Sequence, residues 1–218
     1  MCGRFAITLP PEAMVQLFAA VPSNDLPTTP NFNVCPTDTI HAVTSSEGER
    51  RLQSMRWGFV PRWAKSPGEG RPLINARAET VAEKPAFRSA VERRCLIPAS
   101  GYYEWTKGPE GARLPWFIHP AAGGMLALAG IWQDWEREGS MIRSCAIITC
   151  AAKGDLADLH HRMPVIVEPE EWPLWLGERG AGAARLMRAT DGLKAYRVGI
   201  DVNSNRAEGD HLIEPMPT

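Results

Sequence analysis

A chain of 218 residues, 44% of them hydrophobic, is long enough to bury a substantial core as a single domain over 1–218. Its formal net charge of −1 supplies no global positive field, so any contact with nucleic acid has to come from a local patch. No run of about 18 apolar residues is present and Arg4 interrupts any signal-like start, which argues against a leader or membrane span and for a cytoplasmic protein.

In chain order, "GRFAIT" reads as a short strand, and "PPEAMVQLFAAV" as a helix opened by proline with apolar residues at helical spacing. "PSNDLPTTPNFNVCPTD" reads as loop, "TIHAVT" and "RLQSMRW" as alternating strands, and "GFVPRWAKSPGEGRP" as a long loop carrying tryptophan and arginine. A second helix is expected in "EKPAFRSAVER". Short strands follow in "RCLIPAS", "GYYEWT", "LPWFIHP", "MLALAGIW" and "IRSCAIITC", with hairpin turns at "GPEGAR" and "EREGS". "KGDLADLHH" is a short helix leading into the strand "MPVIV", and "EPEEWPLWLG" and "GAARLMRA" are two more short helices. Runs of strands with helices clustered before and after them give an α+β class, mainly antiparallel sheet, barrel-like, with peripheral helices.

Five cysteines, Cys2, Cys35, Cys95, Cys145 and Cys150, form no C-x-x-C pair, which argues for reduced thiols and against a disulfide framework or zinc site. Cys145 and Cys150 read as core. Cys2 is either a small apolar residue at the start of a buried strand or, once Met1 is removed, a thiol beside a free α-amine. With ordinary pKa values of about 8.5 and about 8, both groups are partly nucleophilic near neutral pH.

Three further stretches can carry chemistry. Asn75 in "INARAET" is a turn amide or one that orients a nucleophile or carbonyl. In "GYYEW", Tyr102, Glu104 and Thr106 share one strand face, so the carboxylate lies either in aromatic surroundings suited to general-acid work or on a half-exposed edge. In "LHHRMP" adjacent side chains are expected to point apart, so one histidine is functional, in acid–base work rather than metal binding. An arginine follows two residues after each of Cys2, Asn75 and His160. If the three segments converge, Arg4, Arg77 and Arg162 ring a pocket suited to phosphate. The nearby Trp57, Phe59, Arg62, Trp63 and Lys65 could stack on unpaired bases or lie in the core.

Taken together, "MCGRF", "NVCPT", "WGFVPRWA", "INARAET", "GYYEW", "IITCAA", "HHRMPVI" and "VNSN…LIEP" resemble, over nearly the whole chain, the SOS response-associated peptidase (SRAP) family of abasic-site processing proteins. The resemblance implies catalytic roles for Cys2, Asn75, Glu104 and His160, and DNA contacts from Arg4, Arg77 and Arg162; beside them Pro36 and the loop tryptophan Trp63 are expected to touch DNA and to occlude a paired strand. It implies a DNA–protein crosslinker: Cys2 condenses with the aldehyde of an abasic site in single-stranded DNA, as a monomer without metal or cofactor, associated with the nucleoid when bound. Autopeptidase and weak lyase activities are side paths. Cys35 stands where the family usually has alanine, and His161 where aspartate is usual. The same residues also suit a peptidase with Cys2 as N-terminal nucleophile, and, less well, a non-catalytic single-strand-binding module.

Overall fold

The computed structural model describes residues 2–217. β1 (Phe5–Ile7) is wholly buried, and Pro11 opens α1 (Pro11–Phe18), which buries Met14 and Phe18 four residues apart on one face. Ala19 takes a left-handed conformation (φ 48°) and stops the helix, so the tail read as helical becomes β2 (Ala20–Pro22). β3 (Asn31–Val34) lies inside the stretch read as loop. At four residues between prolines it has no legible alternation and exists because β1 offers it a partner, Phe5 opposite Val34.

β4 (Thr39–Ser46) and β5 (Glu49–Trp57), both expected as strands, pair as a hairpin closed by Glu47 and Gly48 at positive φ. After β6 (Asn75–Arg77), the helix expected in 83–93 is absent. Pro85 cannot supply an interior N–H, and the segment runs as turns with a single 3-10 turn at Arg88–Ala90, burying Phe87 and Ala90 at the three-residue period of that helix. "GAARLMRA" is likewise a 3-10 turn, Ala183–Leu186, with Ala183 and Leu186 buried. β7 (Arg94–Ala99), β8 (Gly101–Lys107), β9 (Arg113–Pro120), β10 (Leu126–Arg137) and β11 (Ser140–Ala151) follow the reading closely. α2 (Leu156–Leu159), β12 (Arg162–Pro164), α3 (Trp172–Trp175) and an unforeseen β13 (Leu193–Arg197) complete the elements used here.

Strands β11, β10, β7, β4 and β5 hydrogen-bond in that order, and a parallel contact of Ser144 and Cys145 with Arg56 and Trp57 joins β5 back to β11, closing a five-stranded barrel. A second sheet in the order β13-β9-β8-β1-β3 packs beside it. The α+β, barrel-like architecture is therefore as expected. The far half of β11 outgrows the barrel and carries β6 on one side and β12 on the other, with Thr149 opposite both Arg77 and Pro164. That overhang gathers the "INARAET" and "HHRMP" segments.

Two packing features have measurable consequences. Gly101, where the chain passes from β7 to β8, has no room for a methyl group: a Cβ there would sit 2.6 Å from the backbone oxygen of Ile118. Gly101→Ala should cost about 1–3 kcal/mol in urea unfolding. His41 on β4 is 3% exposed, and burial holds its imidazole down at about 4. The unfolded chain then binds the extra proton first, so stability is complete above pH about 6.5 and lost as pH falls toward 4, by about 2–3 kcal/mol over that window. Thermal unfolding from pH 7 to 4 checks this, and His41→Leu should flatten that part of the profile.

Candidate active site

Cys2 is fully buried just ahead of β1, and antiparallel pairing of β1 with β8, continued by the Tyr103 N–H donating to the Arg4 carbonyl (2.9 Å), holds it beside Glu104. Asn75 begins β6, fixed opposite Ile147 of β11, and its Nδ2 donates to the Cys2 carbonyl at 2.8 Å. Asn75 Oδ1 is buried and has no hydrogen-bond partner among the described residues. Glu104 is 4% exposed on the inward face of β8. Burial, and after it the Glu104 carboxylate, push the Cys2 thiol well above its ordinary range. The neighbouring Tyr102 hydroxyl is pushed up by burial first and then by Cys2, Glu104 and Cys150.

His160 closes α2, which packs on β8, and its Nδ1 lies 3.9 Å from Glu104 Oε1. The Arg162 backbone N–H approaches that Nδ1 at 2.9 Å and the Arg162 carbonyl lies 3.1 Å from the same nitrogen, so the ring is held by the backbone two residues on. The expectation that the two histidines diverge is overturned: the rings of His160 and His161 stack at 4.3 Å and 29°. Extended backbone at His160 followed by the turn into β12 brings consecutive side chains together. His161 is the exposed member, its pKa lowered chiefly by the charge of His160.

The three arginines occupy different environments. Arg77 is exposed at the end of β6. Arg4 is half-buried, donating from Nη1 to Asn33 Oδ1 (2.5 Å) and the Val202 carbonyl (3.1 Å), with its guanidinium 5.9 Å from the Trp105 ring centre. Arg162 is 9% exposed and gripped by Glu79, Nη1 to Oε1 at 2.7 Å and Nη2 to Oε2 at 2.9 Å, with Nη2 also on the Thr149 carbonyl at 2.6 Å. Trp63 is 68% exposed above a cleft of about 410 Å³ lined by Thr37, Arg56, Phe59 and Pro72, and Pro36 is half-buried next to Thr37. Trp57 and Phe59 are core residues instead, Trp57 Nε1 donating to the Ile74 carbonyl. Among the described residues no cluster of three or more His, Cys, Asp or Glu could hold a metal ion, and no helix is long and apolar enough to cross a membrane.

A buried cysteine next to the first residue, gripped by an asparagine and faced by a glutamate–histidine pair, sits within a stretch that matches one family model. That model, SOS response associated peptidase (SRAP), covers residues 1–205. The chain belongs to the SRAP family. It is 34% identical to Abasic site processing protein YoqW of Bacillus subtilis over 98% of this chain and 99% of that one. It is 29% identical to Abasic site processing protein YedK of Escherichia coli over 99% and 100% of the two chains. A solved structure from Bacteroides thetaiotaomicron shares the fold, at a TM-score of 0.84 and 24% identity over 99% of this chain and 100% of that one. One from Bordetella bronchiseptica aligns at a TM-score of 0.78 and 26% identity, over 91% and 100%.

In this SRAP chain Cys145 and Cys150 are buried in β11. Cys35 has its Sγ donating to the Asn33 carbonyl (3.2 Å), its thiol pushed up by burial and drawn back by Arg4, so the second thiol lies on the Arg4 side of the site. Sequence reasoning passed over Glu79 and Thr149. The signal for Glu79 was present two residues after Arg77 in "INARAET". Thr149 acts through its backbone oxygen, which no sequence pattern marks.

Proposed function

We propose that this protein processes abasic sites in single-stranded DNA by covalent capture: with Met1 removed, Cys2 closes a thiazolidine on the aldehyde of the opened sugar. The observation that carries the reading is the convergence of Asn75, Glu104 and His160 on Cys2. The names of the full-length relatives point the same way.

The Cys2 α-amine adds to the aldehyde carbon, water leaves, and an imine forms. The thiol then adds across the C=N bond, sulfur to carbon and proton to nitrogen, so the net change is loss of one water. The amine and thiol act on one carbon from one residue, which makes the second addition intramolecular. Asn75 holds the Cys2 backbone through its carbonyl and offers its unpartnered Oδ1 to the α-ammonium. Glu104 moves protons during carbinolamine formation and dehydration, and His160 assists ring opening of the sugar and reversal of the link. The imine also permits β-elimination at the sugar, a slow lyase side path.

The test is a labelled single-stranded oligonucleotide with one abasic site, run on a denaturing gel after incubation with the mature protein. A covalent band is expected with the aldehyde and none with the same oligonucleotide after borohydride reduction to the alcohol. Equal bands in both lanes, or none in either, would refute covalent aldehyde capture.

A further inference from the structure

Arg162 poses a problem for any phosphate-binding ring. Both of its terminal nitrogens already face a carboxylate, with Glu79 gripping them bidentately, and only 10% of its side chain is exposed against 51% for that of Glu79. A bidentate carboxylate and a phosphate present the same pair of oxygens to a guanidinium fork, so the two compete for one place. The fork has holds besides Glu79. The Thr149 carbonyl takes Nη2 at 2.6 Å, and the backbone of Arg162 is paired in β12 with Ala151 of β11. The positive charge of Arg77, two residues back, also acts on the Glu79 carboxylate, after the larger effect of the Arg162 hydrogen bonds.

We infer that Glu79 is a built-in stand-in for DNA phosphate: without DNA its carboxylate fills the fork of Arg162, and a strand phosphate arriving beside His160 displaces it. The inference rests on the single-strand reading above and adds a specificity residue to it. Because the Arg162–Glu79 pair is neutral as a unit, Arg162 in the wild-type protein adds little to net counterion release. The exchange weakens loose binding anywhere along a strand and rewards a phosphate placed where Arg77 and Arg162 are engaged together.

Salt titration of fluorescent single-stranded DNA in a Cys2→Ala background, where the covalent step is absent, reads this directly. Glu79→Gln should tighten binding about 3- to 10-fold at low salt and steepen the log–log salt slope by roughly 0.7, the single-strand value for one further phosphate contact. Glu79→Asp keeps the charge but shortens the reach, so it loosens the bidentate grip without changing net charge. It should also tighten binding, by about 2- to 3-fold, which separates release of Arg162 from simple loss of a repelling charge. Thermal unfolding confirms that both variants are folded. Weaker binding in both variants with an unchanged or shallower slope would overturn the inference and make Glu79 a brace for Arg162. Tightening in Glu79→Gln alone would also overturn it, as generic charge removal. Failure of the single-strand reading is a separate outcome, visible as absence of salt-sensitive binding in the Cys2→Ala protein itself.

Discussion

Cys2→Ala should abolish the gel-stable adduct entirely while leaving single-stranded DNA binding within about twofold of wild type. Alanine at position 2 still presents an α-amine once Met1 is removed, so a reversible imine can form and be trapped with borohydride. What is lost is the sulfur that closes the ring. Cys2→Ser falls between, forming a less stable adduct because a hydroxyl is the poorer second nucleophile. An extension of a few residues before Cys2 is the sharper companion, since it keeps the thiol but turns the amine into an amide that cannot form an imine. It should be as inactive as Cys2→Ala.

Glu104→Gln should slow adduct formation about 10- to 100-fold, at or just below the lower edge of the usual range for a general acid–base group, with DNA affinity little changed. Glutamine keeps the shape of a side chain that is 4% exposed and packed beside Tyr102, so the loss is of proton transfer and not of folding. It also removes a negative charge that pushes the Cys2 thiol up. The thiol pKa should therefore fall in Glu104→Gln while the reaction slows, and thiol titration with single-turnover kinetics measures both. A faster reaction would mean that thiolate supply, not proton transfer, limits the rate. His160→Ala should chiefly slow reversal of the link. Wild-type release in His160→Ala together with an inactive His161→Ala would move the acid–base role to the exposed ring.

The parts of the fold that were legible in the sequence are those set by local pattern. The α1 helix has proline at its start and apolar residues at helical spacing, and the β10–β11 hairpin joins two long, largely apolar runs across a Glu138–Gly139 turn. β3, β6 and β13 were not legible because each is three to five residues long and exists only where a neighbouring strand offers hydrogen bonds. The expected helix at 83–93 had the right composition, but Pro85 and a three-residue burial period turned it into a 3-10 turn. At the site, the i, i+2 relation singled out Arg4, Arg77 and Arg162 but said nothing of what each guanidinium touches. Asn33 and Glu79 reach two of them from other parts of the chain, and only the closed tertiary structure places them there.

The measurement that bears most directly on covalent capture by Cys2 is intact-mass and peptide-mapping analysis of the purified adduct, without added reductant. The expected species is the protein lacking Met1 plus the abasic oligonucleotide less one water, with the nucleotide mass on the peptide beginning at Cys2 and no free thiol there. An adduct that retains Met1, maps to a lysine, or leaves the Cys2 thiol open to alkylation would contradict thiazolidine formation.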